Sequence, residues 1–261
     1  MKSALIALAT AAAALTPSLA SAQAAAAPAP ASTLTGNFTL ASDYRFRGLS
    51  QTFKGPAVQG GIDWAHASGF YLGNWNSNVS GNQFPNGAGI EMDFYGGYKW
   101  QLSPGTVLDV GGLYYYYPGA FFNGFAPNEP EFNHFELYVG ATMGPFGAKF
   151  YYGLTDFFGL DATVGGRDSK GSWYLDLNYS TEILPKTSLI AHLGYQHVSN
   201  YGDLSYYDWK LGVTYDWSGW LLTLAYVDTN ADSALYFATN SSGRTKSIGD
   251  ATLVISIGKT F

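Results

Sequence analysis

The sequence of 261 residues contains no cysteine, so it predicts neither a disulfide framework nor thiolate chemistry. It also lacks a phosphate-binding P-loop and the H-E-x-x-H pattern of zinc hydrolases. The aspartates in or beside its predicted loops do not have the spacing of a calcium-binding loop. We therefore expect no metal site and no cofactor.

Charged residues are scarce as well. They make up 12% of the chain, which is about half of the share that is usual in globular proteins. A soluble fold with so few charges would have difficulty covering its surface, whereas a membrane barrel presents apolar side chains to lipid. Aromatic residues are abundant, at 17%. The net charge of −6 argues against nucleic acid as a partner.

Long apolar runs are absent after the N-terminal region, so no membrane helix is predicted there. Residues 1–22 have the pattern of a cleaved export signal, with a positive Lys2, an apolar stretch over Ala4–Leu15 and small residues at the cleavage point. The apolar stretch is shorter than the about 20 residues that a membrane helix needs. Residues 23–35, rich in alanine and proline at their start, are interpreted as a flexible periplasmic linker.

The chain does contain a regular alternation of apolar and polar residues. Over Ile90–Trp100 the large even-numbered residues are apolar or aromatic, whereas Glu91, Asp93 and Lys99 fall on odd positions. Tyr207–Trp217 repeats the pattern. Since a strand sends successive side chains to opposite faces, each segment predicts a strand with one apolar and one charged face. Strands of about ten residues with this pattern are typical of transmembrane β-barrels.

Twelve segments of strand character follow the linker, and the connections between them alternate between short and long. Bacterial outer-membrane barrels have short periplasmic turns and longer external loops. We therefore predict an all-β, antiparallel, up-and-down transmembrane barrel of about 12 strands over residues 36–261. The predicted strands are 37–47, 57–65, 70–79, 90–101, 107–117, 133–143, 148–156, 172–183, 188–198, 206–217, 220–229 and 251–261.

Aromatic residues cluster at both ends of the predicted strands, as expected where strands cross the two interfaces of a membrane. A soluble β-sandwich is the alternative, but its strands should carry outward charge and need no aromatic rim at both ends. The belt near the short turns is predicted to contain Trp64, Tyr71, Tyr98, Trp100, Trp217, Trp220 and Phe261. The belt near the long loops is predicted to contain Tyr44, Phe46, Tyr114, Tyr116, Trp173, Tyr207 and Trp209.

The polar faces of the strands supply fourteen candidate pore-lining residues, nine carboxylates and five cations, so an open lumen would favour cations. Barrels of about eight strands are filled by side chains and those of 16–18 leave a channel, so twelve strands allow either a narrow pore or a plugged lumen. Six tyrosines are also expected to point inward: Tyr95, Tyr115, Tyr117, Tyr138, Tyr151 and Tyr174. The candidates are Asp43, Arg45, Arg47, Asp63, Glu91, Asp93, Lys99, Asp109, Glu136, Lys149, Asp176, Asp208, Lys210 and Asp216.

The last predicted strand carries an alternating apolar row, formed by Leu253, Ile255, Ile257 and Phe261. This row resembles the C-terminal assembly signal that the barrel assembly machinery of Gram-negative bacteria recognises. Lys259 stands where that signal has an aromatic residue, and its stem can extend towards the headgroups. We therefore expect a protein of the cell outer membrane. Its expected partners are this machinery, outer-membrane lipid and lipopolysaccharide, and small solutes or ions in the lumen.

The stretch from His197 to Asn200 supports an alternative function. It resembles the H-x-S-N segment of outer-membrane phospholipases and lipid A deacylases, in which a histidine and a serine share the outer face of one strand. His197 and Ser199 do share one face here, but the base also needs an orienting polar or acidic partner. Leu211 stands where those families place that partner. We therefore predict that the protein is not an enzyme, with a lipid esterase as the alternative.

A longer resemblance covers essentially the whole chain after residue 22. It begins with Ser42–Thr52, which reads SDYRFRGLSQT, and includes Ser68–Gly73, Tyr115–Gly119 and Asp208–Gly212. This pattern resembles the TorF-type porin family of Gram-negative bacteria, whose function is unknown. The resemblance implies a barrel in the outer membrane and brings no catalytic residues with it.

The first of these motifs is interpreted as a strand that leads into a loop. Asp43, Arg45 and Arg47 would then face the lumen, and Gly48 would permit a turn that a Cβ atom hinders. Two roles are open for Arg45 and Arg47, namely pairing with acidic neighbours and selecting a solute.

Overall fold

The computed structural model describes residues 31–84, 88–121 and 130–261, and in it twelve antiparallel strands close into a barrel, as predicted. The predicted export signal and residues 23–30 of the predicted linker lie outside the described residues. The barrel strands are β1 (Ser32–Ala41), β2 (Ala57–His66), β3 (Phe70–Asn78), β4 (Ile90–Ser103), β5 (Thr106–Tyr116), β6 (His134–Met143), β7 (Phe146–Gly153), β8 (Trp173–Leu184), β9 (Thr187–His197), β10 (Tyr206–Trp217), β11 (Trp220–Thr229) and β12 (Thr252–Thr260).

The first strand closes the barrel, because β1 pairs with β2 on one side and with β12 on the other. Ser32 lies opposite His66, so β1 begins five residues before the predicted Asn37. Residues 32–35, assigned to the linker from the sequence, therefore belong to the barrel. Gly36 and Phe261 exchange backbone hydrogen bonds of 2.8 and 2.9 Å, which joins the ends of the described chain.

The two faces of the wall differ as the alternation predicts. On β4, Glu91 and Asp93 are buried inside the barrel, whereas Ile90 and Phe94 on the other face are exposed. Outward-facing aliphatic and aromatic residues form a continuous apolar surface of the kind that contacts lipid in transmembrane barrels. In the described ranges no helix is long and apolar enough to cross a membrane.

The aromatic belts are partly as predicted. Trp100 and Trp217 are exposed near the short turns, and Tyr114, Tyr116 and Tyr207 are exposed near the long connections. On β12, Leu253, Ile255 and Phe261 face outward as the assembly row predicts, with Ile257 on the same face. The Lys259 ammonium lies 5.2 Å from the centre of the Trp220 ring.

One member of the predicted belt near the short turns faces the other way. Tyr71 is buried inside the barrel and donates a 2.6 Å hydrogen bond to Asp109, so its assignment to the belt is wrong. Its hydroxyl finds a carboxylate in the lumen, and a buried phenol needs such a partner.

Small elements lie in the long connections. They include two 3₁₀ turns (Phe157–Gly159 and Gly202–Leu204) and a hairpin of Phe237–Thr239 with Thr245–Ser247. A four-residue helix over Ala162–Gly165 is capped by Asp161, and the hydrogen bond from the Thr163 hydroxyl lowers the pKa of that carboxyl. We call the end of the barrel with the long connections the loop side, and the other end the turn side.

Several glycines in the wall make room for inward tyrosines. A Cβ atom on Gly73 would overlap the ring of Tyr95, and one on Gly194 would overlap the Tyr174 hydroxyl. The aromatic rings thus lie flat against neighbouring strands, which is one physical reason for the 32 glycines in the chain.

Candidate functional site in the barrel lumen

The connection between β1 and β2, residues 42–56, folds into the barrel at the loop side; we call it the inner segment. Two short strands, Arg45–Phe46 and Leu49–Ser50, pair as a small hairpin. Arg47 and Gly48 form its turn in the left-handed region, with φ angles of 46° and 80°. The predicted strand over residues 37–47 is therefore wrong in its second half, because the wall strand ends at Ala41.

An ion pair holds the hairpin together. The Arg45 side chain donates to Asp43 at 2.6 Å, and Asp43 also accepts hydrogen bonds from Ser50 and Thr52 at 2.6 and 3.0 Å. Both charged side chains are about 5% exposed. Since a buried charge needs partners, this cluster makes the inward fold of the segment compatible with its polar sequence.

The hairpin is tied to the connection between β11 and β12. The Arg45 guanidinium donates to the carbonyls of Ile248 and Asp250, both at 3.1 Å. Lys54 pairs with the Asp250 carboxylate at 3.0 Å, and this hydrogen bond lowers the pKa of Asp250. The lysine and carboxylate are 24% and 56% exposed, so solvent weakens this outer link.

Tyr44 points into the lumen. Its hydroxyl donates to Glu91 at 2.9 Å, and its ring packs edge-on against Trp75 with 5.3 Å between centres. Phe46 packs inside the barrel as well, against Tyr115 at 5.4 Å. The assignment of Tyr44 and Phe46 to the outer belt is therefore wrong. Strand parity placed them outside, but the chain has already left the wall at this point.

Arg47 reaches deepest from the inner segment. Its guanidinium donates to Glu136 at 2.6 Å, to the Gln196 side-chain oxygen at 2.7 Å and to the Tyr115 hydroxyl at 3.3 Å. The side chains of Arg47 and Glu136 are 5% and 1% exposed. This ion pair is one of the most enclosed polar contacts in the described structure.

The loop-side half of the lumen is filled around this arginine. Glu91, His134 and Gln196 have no solvent-exposed surface, although all three lie on the inner face of the wall. Phe158, from the connection between β7 and β8, adds its ring against Tyr115 at 5.4 Å. An open channel would expose the groups that line it, so this half of the barrel is closed.

Inward side chains of the described wall strands form two further polar clusters, one towards the turn side and one next to the inner segment, where Asp208 lies beside Gly48. In the first, Asp109 accepts hydrogen bonds from Lys149 at 2.9 Å and from Tyr71, while the Lys99 ammonium lies 4.6 Å from the Tyr71 ring centre. In the second, the His192 ring lies 3.0 Å from Asp176 and 2.8 Å from Asp208.

The remaining candidates also lie on the inner face. Asp63 accepts a hydrogen bond from Tyr95, and Lys210 lies opposite His192 between β9 and β10. Asp216 lies at the turn side, where it accepts from the Gly219 amide at 2.7 Å. All fourteen predicted residues are therefore inside the barrel, but Asp43, Arg45 and Arg47 are there as part of the inner segment and not as part of the wall.

Three inward residues that matter to this arrangement were not among the candidates. Tyr44 was placed outside, Gln196 was not singled out, and His134 was expected to face inward in a hydrogen-bonded lining role without being counted among the candidates. The sequence did contain a signal for the last two, because both share the inward parity of their strands with charged neighbours. No local signal showed that they would meet the inner segment.

His197 and Ser199 lie at the loop-side end of β9 and just after it. The His197 ring stacks on Trp173 with 5.3 Å between centres. The backbone amide of Ser199 donates to the Ser172 hydroxyl at 3.1 Å. These contacts account for both residues as part of the wall and its adjoining connection.

The barrel and its charged lumen define a porin-like transmembrane β-barrel. Two solved structures share this architecture. The KdgM porin has 10% identity, a TM-score of 0.51, and coverage of 87% of this chain and 98% of that chain. The NanC porin has 11% identity, a TM-score of 0.50, and coverage of 88% and 99%. At such low identity the likeness shows the fold.

The family assignment comes from the sequence. The family model described as "Bacterial protein of unknown function (Gcw_chp)" matches residues 24–261, and the chain belongs to this family. No curated protein matches the chain.

Proposed function

We propose that this protein forms a narrow porin-like channel for small solutes or ions in the outer membrane, and that the inner segment closes it. The supporting observation is the lumen, in which charges of both signs follow the inner face from Asp216 at the turn side to Glu91 at the loop side. Charged side chains that line a pore determine which ions it prefers. The closure comes from a connection and not from the wall, so it can be relieved without unfolding the barrel.

The excess of carboxylates supports a preference for cations. Three of the five inward cations are paired with three of the nine inward carboxylates, as Arg45–Asp43, Arg47–Glu136 and Lys149–Asp109. Nine minus three leaves six carboxylates, of which Asp176 and Asp208 share His192, and five minus three leaves two lysines. Six carboxylates against two lysines and one histidine leave an excess of negative groups in the lumen.

The apolar outer surface supports the outer-membrane location. Outer-membrane lipid and lipopolysaccharide would contact this surface, and the barrel assembly machinery would recognise the row on β12. The SDYRFRGLSQT motif supports a TorF-type relationship within this class.

Planar-bilayer recording tests the channel. Purified protein should give rare, small conductance steps with a modest selectivity for cations. Added salt should weaken this selectivity, because charges are screened over about 10 Å at 0.1 M. Replacing residues 43–55 with a short Gly-Ser link should make the steps frequent. A shift in electrophoretic mobility on boiling verifies that this variant has folded. If both proteins fold and both stay silent at every voltage, the channel proposal is wrong.

That silent result would favour the second candidate, a structural barrel without transport. The observation behind it is the complete burial of Glu91, His134 and Gln196. The lipid esterase is tested by Ser199→Ala, which we expect to alter neither conductance nor the turnover of phospholipid or lipid A. Hydrolysis that disappears in this variant would support the enzyme.

A further inference from the structure

The Arg47 guanidinium occupies a cage that has the chemistry of a cation-binding site. Besides its hydrogen bonds to Glu136 and Gln196, it lies 4.3 Å from the centre of the Tyr174 ring, 5.3 Å from Tyr151 and 4.8 Å from Phe46. Aromatic faces attract cations, and a carboxylate forms its strongest hydrogen bonds with charged donors. Together these groups distinguish a cation from a neutral molecule of the same shape.

The cage is built mainly by the wall. Five consecutive strands, β5 to β9, each contribute one inward side chain, and these are Tyr115, Glu136, Tyr151, Tyr174 and Gln196. Tyr174 lies opposite Tyr151 on one side and opposite Gln196 on the other, so the strand register sets their spacing. Since the strands hold these groups, most of the cage persists when Arg47 leaves it.

Arg47 is supported differently from the wall residues of the cage. It comes from a connection, and its φ of 46° places a non-glycine residue in the left-handed region, which costs conformational energy. Asp93, which lies opposite Tyr115 in the sheet, has a buried carboxyl oxygen that no group of the described residues hydrogen-bonds. The surroundings of the cage therefore include a polar atom whose hydrogen bonding Arg47 leaves unmet.

We propose that this cage is the solute-binding site of the channel, that it takes small organic cations with a guanidinium or amine group, and that Arg47 is its tethered occupant. This proposal rests on the proposed channel function. An entering cation replaces Arg47 in the cage, so Glu136 keeps a charged partner throughout the exchange. That avoids the large cost of leaving a buried carboxylate unpaired. Release of Arg47 frees the inner segment and opens the loop side.

Replacing the tethered cation with a free one tests the proposal. Methylguanidinium is the probe, and urea is the neutral control with a similar planar shape. In detergent, calorimetry should show methylguanidinium binding to Arg47→Ala at least about tenfold more tightly than to the wild type, whose cage is full. Urea should not distinguish the two proteins. Arg244→Ala removes the same charge from an exposed connection and should behave as the wild type.

The site and the channel fail in different ways. Adding Glu136→Gln to Arg47→Ala should abolish the methylguanidinium binding, and the mobility shift on boiling shows that each variant is folded. Equal binding of methylguanidinium and urea to folded Arg47→Ala would overturn the cage while leaving the channel intact. Selective binding without conductance in any variant would support the cage and refute the channel. In a conducting Arg47→Ala protein, methylguanidinium should block the current in a manner that depends on Glu136.

Discussion

The two halves of the lumen differ in what fills them. At the loop side, the inner segment and Phe158 cover the wall, and Glu91 and Gln196 have no exposed surface. Towards the turn side, the described contacts join wall residues to one another, and Lys149 and its partner Asp109 each keep 11% of their side-chain surface exposed. Inward-facing strand residues line both halves of the lumen, but a connection also fills the loop-side half.

This difference shows that strand number does not by itself decide whether a barrel conducts. Twelve strands enclose enough space for the hairpin of the inner segment in addition to the side chains. The wall determines which charges line the passage, and a connection determines whether the passage is open. Substitutions in the two halves should therefore have different effects.

The largest expected effect is an all-or-none difference in cysteine labelling, which shows which end of the barrel faces the outside of the cell. The chain has no cysteine, so a single introduced cysteine is the only thiol. Ser241→Cys, in a long connection, should react with a membrane-impermeant maleimide on intact cells, whereas Ser68→Cys, in a short turn, should react only after lysis. Both positions are exposed. The opposite labelling would reverse the orientation of the two halves without changing the fold.

Undocking the inner segment should have the next largest effect. A Cβ atom on Gly48 would overlap the Thr229 methyl group and lie 2.6 Å from the Asp208 Cβ. For Gly48→Ala we expect overpacking to cost about 1–3 kcal/mol, and each 1.4 kcal/mol is tenfold in an equilibrium. Open probability in bilayers should therefore rise by roughly tenfold or more.

Gly166→Ala is the matched control for that variant. Its φ of 81° is almost the same as that of Gly48, but a Cβ atom there has no neighbour within 4 Å. It should leave open probability unchanged. An equal rise in both variants would show that backbone strain, and not contact with the wall, produces the effect.

Selectivity should change less than opening. Changing Glu91 and Asp93 together to their amides removes two of the inward carboxylates while preserving side-chain shape. At about 4 Å a unit charge contributes about 1 kcal/mol in water-like surroundings. We expect the cation-to-anion permeability ratio, measured from reversal potentials, to fall by about three- to tenfold. An unchanged ratio would mean that the conducting path does not pass these residues.

The smallest expected effect is a dependence on pH. The hydrogen bond from Lys54 lowers the pKa of Asp250, so this pair stabilises the docked segment at neutral pH. The contribution is complete above the unfolded pKa of about 4 and is lost as pH falls through the lowered folded value. Opening should increase slightly below about pH 4, by an amount equivalent to about 1 kcal/mol at most. Asp250→Asn should remove that increase. If opening at low pH still increases as much in this variant, another titrating group causes the increase.

Much of the wall could be predicted from the sequence, because alternation is a local property. Glu91, Asp93 and Lys99 are inside the barrel since a strand fixes side-chain direction with a period of two. The inner tyrosines Tyr115, Tyr151 and Tyr174 follow from the same rule. Tyr71 obeys the rule too, since it is buried between exposed Phe70 and Leu72, and it was misplaced because the belt was assigned from nearness to a short turn. The rule itself fails at Tyr44, which lies beyond the end of β1.

By itself the sequence determined a twelve-stranded barrel with an apolar outside and an acidic inside, because composition and alternation depend only on neighbours along the chain. The tertiary structure decided that Ser42–Thr52 turns inward and that Arg47 meets Glu136, a residue 89 positions away. Such a meeting depends on the closure of the barrel and on the space left within it. Neither is encoded in any short stretch of residues, so the closed lumen and the arginine cage become evident only when the strands are assembled.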